Sequence, residues 1–447
     1  MKKLAVIWLA GVAVLFGCAA DPAEGVPDPG GTPRSTFKIP PSEAVAMLEE
    51  LLSELYGPGS RSGPAARRIA TLEPIGLPAT RSGGEAEDSL FYLVNFDDSM
   101  GFALLAADTR IEIPVFALTE KGNLSGKAFG EACESVPPEN PATADTTVQD
   151  IPDYETFFRV IVGPRINSII KGVLPIKPHK PDAPGGGPQR PPKPPVITYR
   201  YTYKCGPYLR TKWDQEDPFN RWAPIIGGTH AYAGCIPVAL AQILNYHNEP
   251  YIYGGFCFNW KVINKVGNVD YKKQYDCEGD TLEMLAATIH RLGQLCKVSY
   301  EANATSSNIR KAKRALKELE YRNVKIHDTH LLKKTEAMLN NGKPVFMRGA
   351  GYKVSGGRAG HAWVVDGYAT CIKYINGLIQ PQGNNLIHAN MGWRGEGDGY
   401  YASEIFYTHA PLDYDETDLD PKTGEGIPRK DEYTLGLDLK IIGYDLP

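Results

Sequence analysis

The sequence lacks several features that would assign it to a class at once. Basic residues are not in excess, because 48 Lys and Arg stand against 52 Asp and Glu. Nothing in this charge balance suggests a nucleic-acid partner or an anionic membrane. There is no CxxC pair and no Cys and His spacing typical of a zinc site. The 447 residues, of which 42% are hydrophobic and 22% charged, are enough for two or three globular domains.

The N-terminus contains a short apolar run, residues 4–16, that follows two lysines. It is shorter than the roughly 20 residues of a membrane-spanning helix, so it predicts a signal segment over residues 1–17. The run ends in Leu-Phe-Gly-Cys, which resembles the lipobox of bacterial lipoproteins and predicts lipidation of Cys18. Ordinary secretory cleavage near residue 19 or 20 is the alternative. Both predict export, and the lipid would add attachment to a bacterial cell envelope or surface.

Prolines are concentrated between residues 175 and 195, where nine fall in 21 residues together with three consecutive glycines. Such a segment cannot form a core and predicts an extended linker, residues 171–195. It separates an N-terminal module, residues 36–170, from a C-terminal region, residues 196–447. Residues 18–35 are expected to form a flexible tether after the signal segment.

The N-terminal module has the pattern of a small α+β domain. Apolar residues at helical spacing after Pro41 predict one helix, which Gly57 closes. Residues 89–96, 101–107 and 113–118 predict three short strands separated by turns. The module contains no cluster of His, Cys or carboxylates suited to catalysis, so we expect it to regulate or pack against another domain.

Cys235 stands at the start of a predicted helix. Seven cysteines remain when Cys18 is set aside, so an exported chain leaves at least one thiol unpaired unless it pairs between chains. Apolar residues recur at helical spacing from Ile236, with Gly234 before the cysteine and a proline in the first turn. The N–H groups and dipole of a helix start favour a thiolate. A buried structural cysteine is the alternative.

A nucleophilic thiol needs a base, and His361 is the candidate. It leads a predicted strand, residues 360–368, after a glycine-rich run, where its imidazole could take the thiol proton. Asn390, at the end of a second predicted strand, could orient the ring through its amide oxygen. Gln215 lies 20 residues before Cys235 and could donate to the oxyanion beside the cysteine N–H. Taken singly, the histidine could be structural and the glutamine a surface residue.

Four sequence blocks, which contain all of these residues, occur in order over about 190 residues. They are Thr-Lys-Trp-Asp-Gln-x-x-Pro-Phe-Asn at 211–220, Gly-Cys-x-Pro-x-Ala-x-Ala-Gln at 234–242, Gly-His-Ala-Trp-Val-Val-Asp-Gly-Tyr at 360–368, and His-x-Asn-x-Gly-Trp with Asp-Gly-Tyr-Tyr at 388–401. Together they resemble the streptopain family of papain-clan cysteine proteases.

The resemblance implies a fold and a set of roles. It implies a papain-like α+β catalytic domain in the C-terminal region, with Cys235 as nucleophile, His361 as base and Gln215 in the oxyanion hole. It implies that the site needs no cofactor or metal. Short blocks between residues 95 and 115 are also similar to the inhibitory propeptide of the family, so the N-terminal module is expected to be that propeptide.

The last block departs from the family pattern. The family usually has tryptophan directly after the asparagine, where this chain has Met391, although Trp393 is kept. Loss of an aromatic ring over the His-Asn contact predicts weaker activity or an altered pocket. We expect Met391, Trp393 and Gly360 to line or support the cleft. The glycine-rich run at residues 395–399 lacks a strand-loop-helix setting and predicts a hairpin turn rather than a phosphate loop.

These observations predict a secreted or surface-anchored cysteine endopeptidase made as a zymogen. Its partners would be protein or peptide substrates and its own propeptide, with no nucleic acid and with membrane contact only through Cys18. Two other classes stay open. One is a catalytically weakened surface binding protein that keeps the protease fold, and the other is a thiol acyl transferase. A thiol-directed reagent distinguishes the first, and peptide-bond formation with an added amine distinguishes the second.

Overall fold

The fold is known from a computed structural model of the chain. It describes residues 38–57, 67–76, 89–134, 148–173, 196–266, 279–301, 304–353, 357–380, 384–407 and 438–447. All of these fall in one compact unit, Phe37–Pro447. The predicted signal segment with Cys18, the tether and residues 174–195 of the predicted linker lie outside the described residues.

The helices of the described residues are distributed along both parts of the chain. They are α1 Pro41–Tyr56, α2 Gly126–Glu134, α3 Tyr154–Phe157, α4 Gly163–Val173, α5 Cys235–His247, α6 Trp260–Ile263, α7 Gly279–Leu295, α8 Ile309–Glu318, α9 Leu331–Asn340 and α10 Ser403–Phe406. A π-helical turn, Phe158–Val162, joins α3 to α4, and 3₁₀ turns occur at Asp97–Ser99 and Asn264–Val266. The predicted helices at the start of the module and at Cys235 are confirmed.

The strands include the predicted ones. They are β1 Ile69–Ile75, β2 Phe91–Phe96, β3 Phe102–Ala106, β4 Val115–Thr119, β5 Val148–Asp150, β6 Ile197–Cys205, β7 Ile225–Ile226, β8 Thr229–His230, β9 Ile252–Tyr253, β10 Phe256–Cys257, β11 Ser299–Glu301, β12 Ala304–Ser306, β13 Arg322–His327, β14 Val345–Tyr352, β15 Arg358–Ile375, β16 Leu378–Ile379, β17 Leu386–Asn390, β18 Gly399–Ala402 and β19 Lys440–Asp445. The three strands predicted for the N-terminal module are β2, β3 and β4, which pair antiparallel.

One large sheet runs through both parts of the chain. Its order is β1-β2-β3-β4-β18-β17-β15-β14-β19-β13, and β5, β6 and β16 also pair with β15. The module therefore joins the C-terminal region edge to edge, with Thr119 of β4 opposite Gly399 of β18. The predicted α+β class is confirmed. The domain boundaries remain predictions, because a shared sheet does not mark where one domain would end.

The described helices pack so that α5 is central to the C-terminal region. Eleven of its thirteen residues are buried, and Leu240 lies in a core with Leu285 of α7, Leu316 of α8 and Val364 of β15. Each buried leucine contributes roughly 1.5 to 3 kcal/mol of transfer free energy. This packing fixes the helix start, and with it Cys235, against β15. Within the described residues, no helix is long and apolar enough to cross a membrane.

Candidate active site

Cys235 lies at the first residue of α5 and is buried. The residue before it, Gly234, has φ 95°, a left-handed conformation that a side chain would strain. Pro237 occupies the first turn, where its missing N–H leaves no helical bond unmade. The local sequence thus explains both the sharp backbone turn at Gly234 and the start of α5 at Cys235.

The thiol is not activated in this arrangement. Burial raises the pKa of Cys235 well above its usual value, and the charge of Asp150 raises it further, while Arg348 opposes both. The thiol donates a hydrogen bond to the Asp150 carboxylate, and the Ala362 N–H donates to the sulfur. The expectation that the helix start would favour a thiolate is therefore wrong for this conformation, because desolvation and a neighbouring carboxylate outweigh the helix dipole.

His361 lies in β15, fully buried, directly before the residue whose N–H contacts the sulfur. Its Nε2 is 2.7 Å from the Met391 carbonyl oxygen, which can only accept, so Nε2 carries the proton. Nδ1 makes no hydrogen bond within the described part of the chain. Burial lowers the pKa of His361 to about 3, so the ring is neutral with its lone pair on Nδ1. This tautomer leaves Nδ1 free to accept a proton, but so low a pKa makes the imidazole a weak base in this conformation.

Asn390 does not meet His361. Its Nδ2 donates to the Thr211 carbonyl at 2.8 Å, and its Oδ1 accepts from Gln242 Nε2 at 3.0 Å. The predicted contact with the imidazole is therefore made by the Met391 carbonyl instead. Successive side chains of a strand point to opposite faces, so the Asn390 amide at the end of β17 faces α5 while the next peptide reaches the histidine. The asparagine links Thr211, in the segment before Gln215, to Gln242 of α5.

Gln215 is buried, and its backbone is linked to the segment that precedes the cysteine. Its carbonyl accepts from Ala233 N at 2.8 Å, two residues before Cys235. Its own N–H donates to Asp214 Oδ1 at 2.7 Å. The structure thus brings the Gln215 segment to the start of α5, as an oxyanion donor requires.

The comparisons with known proteins point in one direction. Residues 213–401, which include all four candidate catalytic residues, match the model of the peptidase C10 family. The resemblance to the streptopain family is confirmed.

Streptopain of Streptococcus pyogenes serotype M28 is 26% identical over 227 residues, which cover 42% of this chain and 52% of that protein. The chain spans about half the length of the curated relatives it matches. A prointerpain A fragment of Prevotella intermedia is similar over 84% of this chain and 99% of its own, with 15% identity and a TM-score of 0.47. Active interpain A of the same organism covers 53% of this chain and 92% of its own, with 19% identity and a TM-score of 0.36.

The three residues expected to support the streptopain-like cleft lie around His361. Trp393 stacks on the imidazole with ring centroids 3.8 Å apart and an interplanar angle of 15°. Met391 is fully buried and holds the ring through its carbonyl rather than its side chain. Gly360 has no room for a side chain, since a Cβ there would lie 2.9 Å from Gly349 O and from Val148 Cγ1. Its carbonyl accepts from Ile151 N at 2.9 Å.

Sequence reasoning missed Asp150, which belongs to the N-terminal module. Strand β5 runs parallel to β15, with Asp150 opposite Gly360, beside the base. The carboxylate accepts from Thr305 Oγ1 at 2.6 Å and from the Cys235 thiol. Burial raises the pKa of Asp150 to about 6, although the Thr305 bond and the Arg348 charge oppose this. No motif marks this residue, because it lies 85 positions before the cysteine.

Two further residues at the site were also missed. Phe157 of α3 packs its ring edge against His361 and Trp393, with centroids 5.9 and 5.8 Å away. Arg348 of β14 is opposite Ala362 and only 7% exposed, and its charge acts on the thiol, the imidazole and Asp150. A lone arginine in an apolar strand gives no indication of an active-site position.

Proposed function

We propose that the chain is a cysteine endopeptidase made as a zymogen, with Cys235 as nucleophile and His361 as general base. One observation carries this proposal. Helix α5 packs against β15, and Cys235 at its start lies in the same buried core as Ala362, the residue next to the base. The match of residues 213–401 to the peptidase C10 family supports the same assignment.

The chemistry follows from these groups. His361 Nδ1 takes the thiol proton, and the Cys235 sulfur attacks the peptide carbonyl carbon. The resulting oxyanion would be stabilised by the Cys235 N–H and the Gln215 side-chain amide. Collapse breaks the C–N bond, and the imidazolium returns its proton to the leaving amine. Water, deprotonated by the same imidazole, then hydrolyses the thioester and restores the thiol.

The N-terminal module is the proposed inhibitor of this site. Its strand β5 lies along β15 immediately before His361, in a position that would block an extended substrate. Asp150 keeps the thiol protonated by accepting its hydrogen bond and by repelling a thiolate. Phe157 covers the imidazole and keeps water from it. Residues of the module would therefore keep both Cys235 and His361 inactive.

Removal of the module should reverse both effects. Without Asp150 the thiolate loses a repelling charge, and the N–H groups of the α5 start can then stabilise it. Without Phe157 water reaches the imidazole and its pKa rises toward the ordinary value. In the released form, Asn390 would support the site by holding the segment of Gln215 through Thr211. The Met391 peptide would orient the base.

Hydrolysis of an internally quenched peptide library tests the proposal. We expect the intact chain to be inactive and the chain cut between residues 174 and 195 to hydrolyse peptides once the module has been removed. Cys235→Ala, treated in the same way, is the control and should show none. A cut wild-type chain that neither hydrolyses peptides nor reacts with thiol reagents would indicate a binding protein. Transfer to an added amine in place of hydrolysis would indicate an acyl transferase.

We also propose that the protein is exported and anchored through a lipid on Cys18. The apolar run at residues 4–16 and the Leu-Phe-Gly-Cys sequence support this. Metabolic labelling with a fatty acid in a bacterial host tests it, with Cys18→Ser as the control. Label on wild type and none on the variant is expected. A mature N-terminus after Cys18, without label, would contradict the anchor but not the export.

A further inference from the structure

Glu120 stands at the seam between the N-terminal module and the C-terminal region. It directly follows β4, the strand that pairs with β18, and its N–H donates to the Asp398 carbonyl at 2.7 Å. The backbone therefore places the side chain of Glu120 next to residues of the C-terminal region. The site chemistry described above uses none of this cluster.

The carboxylate of Glu120 bridges two cations of the C-terminal region. Lys212 Nζ donates to Oε2 at 3.0 Å, and His388 Nε2 lies 3.3 Å from Oε1. Tyr56 of α1 also donates to Oε1 at 3.3 Å. The side chain of Glu120 is only 20% exposed, and that of His388 is 2% exposed. Water therefore screens this contact little.

Each cation already has a carboxylate partner in its own region. Lys212 lies 2.8 Å from Asp398 Oδ2, and His388 Nδ1 lies 2.6 Å from Asp366 Oδ1. Within these two pairs, each cation of the C-terminal region is matched by one carboxylate of the same region. Glu120 adds a third carboxylate that only the docked module supplies.

We propose that Glu120 is the ionic anchor of the N-terminal module, and that Lys212 and His388 form its receptor on the C-terminal region. This deepens the proposed function by naming the contact that keeps the proposed inhibitor in place. The two cations of the receptor also favour the ionised form of the anchor. Burial would raise the pKa of Glu120, but Lys212 and His388 hold it well below its usual range. Asp366 and Glu120 raise the pKa of His388 to about 10 despite its burial.

A second ion pair across the same two parts serves as a matched control. Glu112 Oε1 lies 2.8 Å from Lys373 Nζ, but its side chain is 65% exposed. Exposed pairs contribute little, whereas loss of one partner of a buried charged bond is costly. Glu112→Gln and Glu120→Gln make the same chemical change in these two settings.

The test measures docking rather than hydrolysis, so its failure is distinguishable from a failure of the protease proposal. The full-length Cys235→Ala protein is labelled with one dye in the N-terminal module and one in the C-terminal region, and is then cut between residues 174 and 195. The association of the two parts is followed with these dyes while the protein is diluted in steps. We expect Glu120→Gln to weaken association by about 30-fold, the low end for a buried charged contact. Glu112→Gln should change it less than about threefold.

Two controls keep the result interpretable. The uncut Glu120→Gln chain should melt as one cooperative unit near the wild-type temperature. Should it not fold, Glu120→Asp, which keeps the charge on a shorter stem, replaces it and should weaken association by more than Glu112→Gln does. Equal dissociation constants for the Glu120 and Glu112 variants would overturn the proposal, as would a Glu120 variant that docks like wild type.

Discussion

Replacing Asp150 by asparagine should remove a pH dependence of the docked arrangement. Burial raises the pKa of this carboxyl from 3.8 to about 6 in the closed site. A group with a raised pKa binds its proton more tightly in the closed state than in the open or unfolded chain. Its protonation therefore stabilises the closed state fully below about pH 3.8, and this stabilisation is lost as the pH rises through about 6.

The magnitude follows from the two pKa values. The change from 3.8 to about 6 corresponds to about 3 kcal/mol, at about 1.4 kcal/mol for each tenfold change in proton affinity. The side chain lies against Thr305 and Cys235, so solvent screens it little. The closed site should therefore be most stable at acidic pH, and the module should leave it more easily toward neutral pH. Asparagine keeps the shape but cannot titrate.

The assay is urea unfolding at pH 4 and pH 8 in the inactive Cys235→Ser background, which keeps a donor beside residue 150. The difference in unfolding free energy between the Asp150 protein and Asp150→Asn should change by about 2.4 kcal/mol between the two pH values, in favour of asparagine at pH 8, because the full change of about 3 kcal/mol is reached only below pH 3.8. Asp328→Asn, at an exposed position, is the matched control and should show no such change. The same pH dependence with and without the Asp150→Asn substitution would show that the Asp150 carboxyl is not its source.

Other substitutions test the remaining parts of the site. Cys235→Ala should abolish peptide hydrolysis by the cut protein with its melting temperature unchanged, and residual full activity would remove the nucleophile assignment. Gln215→Ala should lower kcat by about 10² to 10³ in steady-state kinetics, because one oxyanion donor is lost. Met391→Trp enlarges a fully buried side chain and should lower the free energy of unfolding by about 1 to 3 kcal/mol; an unchanged value would show that the core has room for the ring. Phe157→Ala should let water reach His361 in the uncut chain and raise the pKa of its imidazole toward the ordinary value, as followed by an NMR titration of the ring; an unchanged imidazole pKa would contradict the shielding role of Phe157.

Much of the local structure could be predicted from periodicity. Apolar residues at helical spacing predicted α1 and α5, and alternating or continuous apolar runs predicted β2, β3 and β4. These elements depend on contacts near in sequence and on one buried face, which the amino-acid pattern encodes directly.

The composition of the site could be predicted only in part. The segment of Gln215 meets the residues before α5, and the strand of His361 packs against that helix, while the catalytic roles of the two side chains stay predictions. Asp150 and Phe157 could not be predicted, because they reach the site through a strand pairing and a helix packing that bring distant segments together. The pKa direction of Cys235 was also beyond sequence reasoning. A helix start favours a thiolate, yet burial decides the outcome, and burial depends on what covers the site.

The hydrogen-bond partner of His361 is another contact that could not be predicted from the sequence. Asn390 and Met391 are adjacent, and either could hold the imidazole, one through a side-chain amide and the other through a backbone carbonyl. Which of them does so depends on the register and pleat of β17 against β15. The sequence motif predicts Asn390 as the partner, and this is wrong, because the three-dimensional structure places the Met391 carbonyl at the ring.

The most direct test of the account is covalent labelling of Cys235 by a peptidyl electrophile, read out by mass spectrometry of the modified peptide. The intact chain and the chain freed of its N-terminal module are treated at the same concentration and pH, with Gln215→Ala and Cys235→Ala as companions. We expect rapid labelling of Cys235 in the freed protein and little in the intact chain, where Asp150 holds the thiol. Equal labelling of both forms would contradict the proposed latency, and no labelling of the freed protein would contradict the nucleophile itself.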